Sequence, residues 1–190
     1  KPVQQPHPPL RIAANSPETA IFAGEQGYPV FIASPINTGG KLAEQVERYR
    51  QAFHAAGHDR SKEDVAIAFP VYVANDAAQV RHEVEASFMN YFQAISYQAQ
   101  LGARDDSPAY AYLHDIRKRV EAMRWEDVET MALYGPPITC IQKITEVYAQ
   151  CRLNQLICWF NPGGLVPHRD IMTSMRRFAT EVMPAVRRFE

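Results

Sequence analysis

Little in this sequence is strongly biased, and each missing feature excludes a class of function. Only three cysteines, Cys140, Cys151 and Cys158, occur in 190 residues. They are odd in number and too few to staple a chain of this size, so no disulfide framework is expected and a reducing, cytoplasmic setting is. Their spacing matches no zinc motif. Neither sign of charge prevails, since 20 basic side chains face 21 acidic ones for a formal net charge of -1 and a pI near 6.7. The strongly basic face that nucleic acid demands is therefore missing, and no nucleic-acid partner is expected. No apolar run approaches the roughly 18 residues of a membrane span. The run Leu156 to Phe160 is stopped by Asn161, Pro162, Gly163 and Gly164, and no membrane partner is expected. What remains is 46% hydrophobic and 22% charged, the composition of a soluble single domain over 1–190 with a substantial core.

The chain opens on Lys1 rather than Met, with Pro2, Pro6, Pro8 and Pro9 around Gln4, Gln5 and His7. That stretch has no apolar h-region, so it reads as a stiff connector and not a signal peptide. From Leu10 strands and helices alternate. Leu10 to Ala14 is a short strand; Ser16 can cap the following alanine-rich helix, with Pro17 at its first position. Pro29 to Ala33 is continuously apolar and is expected to be buried on both faces. A loop with Pro35, Asn37, Gly39 and Gly40 leads to a helix that carries Leu42, Val46, Tyr49 and Phe53 on one stripe and stops near Gly57. Val65 to Ala74 is the third strand; Asn75 or Asp76 can cap its helix, whose inner stripe is Val80, Val84, Phe88, Tyr91 and Ile95.

Residues 102–134 read as a helical insertion without a strand. It holds the charged loop Arg104, Asp105, Asp106 and the aromatics Tyr110, Tyr112, Trp125 and Tyr134, which are candidates for a lid. Gly135, Pro136 and Pro137 start a helix with Ile141, Ile144 and Tyr148 inside. The last strand is Gln155 to Phe160, and a closing helix after Pro167 carries Ile171, Met175, Phe178 and Val182 until Pro184 breaks it. Four strands each followed by a helix define an α/β chain with a parallel sheet, either an open sheet or part of a (β/α)8 barrel. A whole barrel takes about 250 residues, so four units are about half of one. With the opening connector, this count leads us to expect the C-terminal part of something longer.

Chemistry can sit first at the turn Asn15 to Thr19. There a strand ends at the edge where parallel α/β proteins bind ligands, and the helix opens with the backbone N–H groups of Glu18 and Thr19 and two hydroxyls close by. Two readings stay open, a plain Ser16 cap or a phosphate site, and the Glu18 charge opposes the second unless it points away. The Asn161, Pro162, Gly163, Gly164 loop lacks a nucleotide-binding spacing and reads as a turn, as do Gly39 and Gly40. His54 and His58 stand four apart without a matching carboxylate, so no metal site is expected. His168 reads as a cap or an exposed side chain. No catalytic triad can be assembled, and Ser16 followed by Pro17 lacks a nucleophile-elbow pattern.

Several segments taken together resemble one family. They are the connector through Pro9; the run Ile12, Ala13, Ala14, Asn15, Ser16, Pro17, Glu18, Thr19, Ala20; the stretch from Tyr49 to Ala55, Ala56, Gly57, His58; Gly135, Pro136, Pro137; and Ser174 through Pro184. In this order they resemble the bacterial luciferase-like flavin-dependent monooxygenases, over nearly the whole chain. The resemblance implies the second half of a (β/α)8 TIM barrel, strands five to eight, with the insertion between the last two. It implies reduced FMN as cofactor, O2 and a small organic substrate such as an aldehyde or alkane, and a flavin reductase as electron source; a homodimer is expected from the open sheet edges of a half barrel. The family's phosphate-binding hydroxyls fall on Ser16 and Thr19, beside Asn15 and Glu18; Ser34, Asn75 and Asn161, at strand ends, are expected to face the ring or substrate. A deazaflavin is the alternative cofactor. Pro136 stands where the family usually has Thr, and its first four strands, with most ring contacts and the basic partner of the phosphate, precede Lys1. Because the flavin itself activates oxygen, no side-chain nucleophile is needed. Two other readings stand beside this one: a non-catalytic half-barrel module that pairs with a second copy to cover its sheet edges, and an open α/β domain that binds another phosphorylated ligand.

Overall fold

All nine residues of Val65–Val73 are buried, and this strand runs through both compact units into which the chain divides. The computed structural model describes residues 3–34, 40–102, 118 and 120–187. One unit comprises Lys1–Phe69 and Thr145–Cys158, the other Pro70–Ile144 and Trp159–Glu190.

In the first unit, β1 (Ile12–Ala13) pairs in parallel with β2 (Val30–Ala33), with Ile12 opposite Val30. β2 in turn pairs in parallel with β3 (Val65–Val73), from Val30 opposite Val65 to Ala33 opposite Ala68. The final strand, β5 (Gln155–Trp159), also pairs with β3; at their junction the Val65 N–H donates to Asn154 Oδ1 at 2.8 Å and the Asn154 N–H to the Val65 carbonyl at 2.9 Å. Parallel neighbours require crossovers, which α1 (Pro17–Glu25) and α2 (Lys41–Ala55) provide. The two helices approach closely because Gly24 has no side chain: a Cβ there would lie 2.5 Å from the Tyr49 carbonyl oxygen. Val46, Tyr49 and Phe53 bury the inner stripe of α2, and Gly57, at φ +78°, lets the chain turn out of it.

Around the N-terminal ends of the strands, charged groups hold elements together. Arg11 pairs with Asp64, Arg50 Nε donates to Glu63 at 2.5 Å, and His54 Nε2 lies 2.9 Å from the same carboxylate. Two sequence expectations change here. β2 is buried on alternate residues only, Val30 and Ile32, with Phe31 and Ala33 partly exposed; its apolar run does not mean two covered faces. β1 is two residues long because Arg11 and Asn15 are drawn into side-chain hydrogen bonds on either side of it.

In the second unit the far half of β3 pairs in parallel with β4 (Leu133–Gly135), Val71 opposite Leu133 and Val73 opposite Gly135. This strand corrects the expectation of a strandless stretch up to Tyr134; three residues are too few to show a period. α3 (Ala77–Gly102) starts on a reciprocal cap: Asp76 Oδ1 accepts from the Gln79 N–H at 2.8 Å, and Gln79 Oε1 from the Asn75 N–H at 3.0 Å. Its stripe of Val80, Val84 and Phe88 packs with Trp125 and Val128 of α4 (Trp125–Met131) and with Tyr134. Trp125 and Tyr134 stack with ring centroids 5.8 Å apart. They are core residues, which corrects their reading as lid aromatics; Tyr110, Tyr112 and the charged loop at Arg104 lie outside the described residues, as do Pro35, Asn37 and Gly39.

α5 (Pro137–Cys151) follows β4. α6 (His168–Arg177) then leads through a π-type turn, Phe178–Val182, into α7 (Met183–Val186). Its inner face is Ile171, Ser174, Phe178 and Val182, whereas Met175 is exposed, another correction. Ser174 sits inside because its Oγ accepts the buried N–H of Val73 at 2.8 Å. Pro184 does not break the helix. It lacks an N–H and crowds the preceding turn, and the chain absorbs this by widening to a bond from the Met183 N–H to the Phe178 carbonyl. Parallel strands alternating with helices in this way are the architecture of part of a (β/α)8 barrel.

Candidate functional site at the end of the first strand

Asn15, Ser16, Glu18 and Thr19 come together where β1 passes into α1. Ser16 is extended (φ −117°, ψ 154°), and its Oγ accepts the Thr19 N–H at 3.3 Å while lying 3.0 Å from Thr19 Oγ1. The hydroxyl pair thus opens a nine-residue helix whose first N–H groups have no carbonyl partners within it. Glu18 is exposed, and its carboxylate is held below the ordinary range, first by its own backbone N–H and then by the Ser16 hydroxyl. The donors at this corner therefore already hold an anion, one belonging to the chain.

Neighbouring residues fix the corner. Asn15 Oδ1 accepts the Ala33 N–H at 2.9 Å, tying the end of β1 to that of β2. Gln45, buried on α2, donates from Nε2 to the Ala14 carbonyl at 3.2 Å and to the Ser16 carbonyl. Sequence reasoning missed Gln45; its signal was a polar residue one step before Val46, four before Tyr49 and therefore on the inner stripe. Ser34 follows β2 at the same sheet edge, is 2% exposed, and its N–H donates to the Ala68 carbonyl at 3.0 Å.

Asn75 and Asn161 belong to the second unit and have local duties there. Asn75 Oδ1 accepts from Arg177 Nη1 at 3.0 Å. Asn161 Oδ1 accepts the Val166 N–H, and its Nδ2 donates to the Val166 carbonyl, each at 3.4 Å, across its own loop. That loop lies against α3. Ser87 Oγ is 2.8 Å from the Pro162 carbonyl and accepts the Leu165 N–H at 2.9 Å, and Asn90 Nδ2 donates to the Gly163 carbonyl at 3.0 Å.

The histidines are used singly. His54 faces Glu63, and His58 Nε2 is 2.8 Å from the Glu25 carbonyl oxygen; among the described residues no His, Cys, Asp and Glu cluster suits a metal. His168 is exposed at the start of α6. Burial pushes the Cys158 thiol up to about 11, which keeps it protonated and unreactive at neutral pH.

Comparison with known proteins agrees with this architecture. The model of the luciferase-like monooxygenase family matches residues 1–155, and the chain belongs to that family. It is 24% identical over 191 residues to the alkanal monooxygenase alpha chain of Photorhabdus luminescens, a match covering 93% of this chain and 50% of the relative. Among solved structures it is similar to the oxygenating constituent of 3,6-diketocamphane monooxygenase from Pseudomonas putida in complex with FMN, with a TM-score of 0.62 and 21% identity over 92% of this chain and 47% of that one. It is also similar to an F420-dependent secondary alcohol dehydrogenase in complex with an F420–acetone adduct, with a TM-score of 0.60 and 16% identity over 96% of this chain and 50% of that one. At these identities the structural likeness bears on the fold. The chain spans about half the length of the curated relatives it matches.

Proposed function

We propose that this chain supplies the FMN-phosphate anchor of a luciferase-like flavin-dependent monooxygenase that oxidises a small organic substrate with O2. The observation that carries this reading is the Ser16 and Thr19 hydroxyl pair, 3.0 Å apart, at the start of α1 beyond the C-terminal end of a parallel strand. The donor set fits a phosphate group: the Ser16 and Thr19 hydroxyls and the Glu18 N–H share one corner, where the Glu18 carboxylate already draws on its own N–H and the Ser16 hydroxyl, while the Thr19 N–H is given to Ser16 Oγ. Glu18 is exposed and can turn its carboxylate into water when a phosphate arrives.

In this reading Ser16 and Thr19 donate to the phosphate oxygens, and Asn15 and Gln45 keep the strand end in place. Ser34, at the same sheet edge of the first unit, faces the ring or substrate. Reduced flavin, when bound, supplies the activation of O2; the protein binds, orients and excludes water. A separate flavin reductase is the proposed source of reduced FMN. FMN is preferred because the family relatives are monooxygenases and one structural neighbour holds it; a deazaflavin is the alternative, since another neighbour depends on F420. Replacing Ser16 and Thr19 together by Ala in the protein at its natural full length should weaken FMN binding at least about tenfold, because each charge-assisted hydrogen bond contributes roughly 1.5–3 kcal/mol. Fluorescence titration of FMN checks this, and unchanged affinity would discard the anchor.

A second reading, an assembly module that pairs with another copy of itself, is favoured by one observation. In the first unit the apolar strands β1 and β5 are only partly covered: Ala13 is exposed and Ile157 is 39% exposed.

A further inference from the structure

Gln45 is the polar member of the buried stripe of α2, beside Val46, Tyr49 and Phe53, and is 4% exposed. A buried amide has to find partners, and this one finds two carbonyls of the anchor itself. Its Nε2 donates to the Ala14 carbonyl at 3.2 Å and to the Ser16 carbonyl. Because both neighbours are acceptors, the nitrogen and not the oxygen of the amide must face them. The two carbonyls bracket Asn15, so one side chain grips the turn on both sides. The Ser16 carbonyl also takes the Ala20 N–H at 3.0 Å, the first bond of α1, while the Ala14 N–H is tied to the Phe31 carbonyl at 2.8 Å. Every group in this arrangement belongs to the first unit. Its electrostatic sense is definite: carbonyl oxygens carry partial negative charge and repel an anion, whereas N–H and O–H groups attract one. Gln45 gathers the two carbonyls on the side of α2, and the Ser16 and Thr19 hydroxyls lie 3.0 Å apart at the same corner.

We propose that Gln45 is a positioning residue that makes the corner selective for phosphorylated flavin: by drawing the Ala14 and Ser16 carbonyls to α2, it leaves hydroxyl donors rather than backbone acceptors facing the phosphate. This rests on the flavin reading above. It adds a specificity to that reading, the discrimination of FMN from riboflavin, which differ only in the phosphate, and it places the determinant on a helix that does not itself touch the ligand.

The test titrates FMN and riboflavin separately, by flavin fluorescence, into the protein at its natural full length. Gln45→Met keeps the length and burial of the side chain but has no N–H to donate. Gln45→Asn keeps the amide one carbon short of its partners, and serves if the first variant does not fold. Wild type should prefer FMN. In either variant FMN affinity should fall about fivefold to tenfold, the effect of losing hydrogen bonds at two buried carbonyls, while riboflavin affinity stays as in wild type. In the Ser16→Ala/Thr19→Ala background Gln45→Met should add no further loss, because Gln45 acts through those hydroxyls. Unchanged FMN affinity would overturn the role of Gln45. Equal losses for FMN and riboflavin would make it a fold contact and overturn the selectivity, as would a full further loss in the double-alanine background. Wild type that binds the two flavins equally, or binds neither, would instead overturn the phosphate anchor and the selectivity built on it; a failure of Gln45 alone leaves the wild-type preference for FMN intact.

Discussion

Glu18 is the residue on which the proposed anchor turns, because its carboxylate draws on the donors a phosphate would take. Its folded-state acidity is strengthened, so it stays ionised wherever FMN binding is measured. The sign follows: its contribution to stability is present above the unfolded value of 4.5 and is lost as pH falls through the lower folded value. With a phosphate in place the same charge opposes binding. Glu18→Gln should therefore tighten FMN binding about twofold to fivefold, the scale of one exposed charge at a helix N-terminus, with the gain shrinking in high salt. Titration of FMN at two salt concentrations checks it. At this scale Ser16 and Thr19 could be read from sequence because capping and phosphate binding use the same local chemistry. Gln45 and Ser87 could not, since each acts on backbone groups 29 and 75 residues away.

At the scale of elements, α1 must lie tightly on α2 for the corner to keep its geometry. Gly24 is the point of closest approach, with a Cβ meeting the Tyr49 carbonyl at 2.5 Å and the Phe53 nitrogen at 2.8 Å. Both are backbone atoms and cannot rotate away. Gly24→Ala should therefore destabilise the protein by about 1–3 kcal/mol despite alanine's higher helix propensity, measurable as a lower midpoint in urea. Helices with long inner stripes, such as α2 and α3, were legible because their period is sampled over several turns. β4 was not, because three buried residues carry no period, and the Ser174 face of α6 was missed because the larger Met175 drew the stripe one position off. Pro184 marked a disturbance correctly but not its form, since a π-type turn and a break differ only in where the next N–H finds a carbonyl.

At the scale of the whole molecule, the alternation of strand and helix left an open sheet or part of a barrel, the resemblance of several segments to one family pointed to the barrel, and the family match agrees. The part-covered β1 and β5 distinguish the two functional readings. If the chain by itself is an assembly module, sedimentation at micromolar concentration should give a dimer; a monomer would remove that reading. The flavin anchor is tested most directly by titrating FMN into the full-length protein and its Ser16→Ala/Thr19→Ala variant. The anchor predicts affinity at least about tenfold weaker in the variant; equal affinity for the two proteins would contradict it.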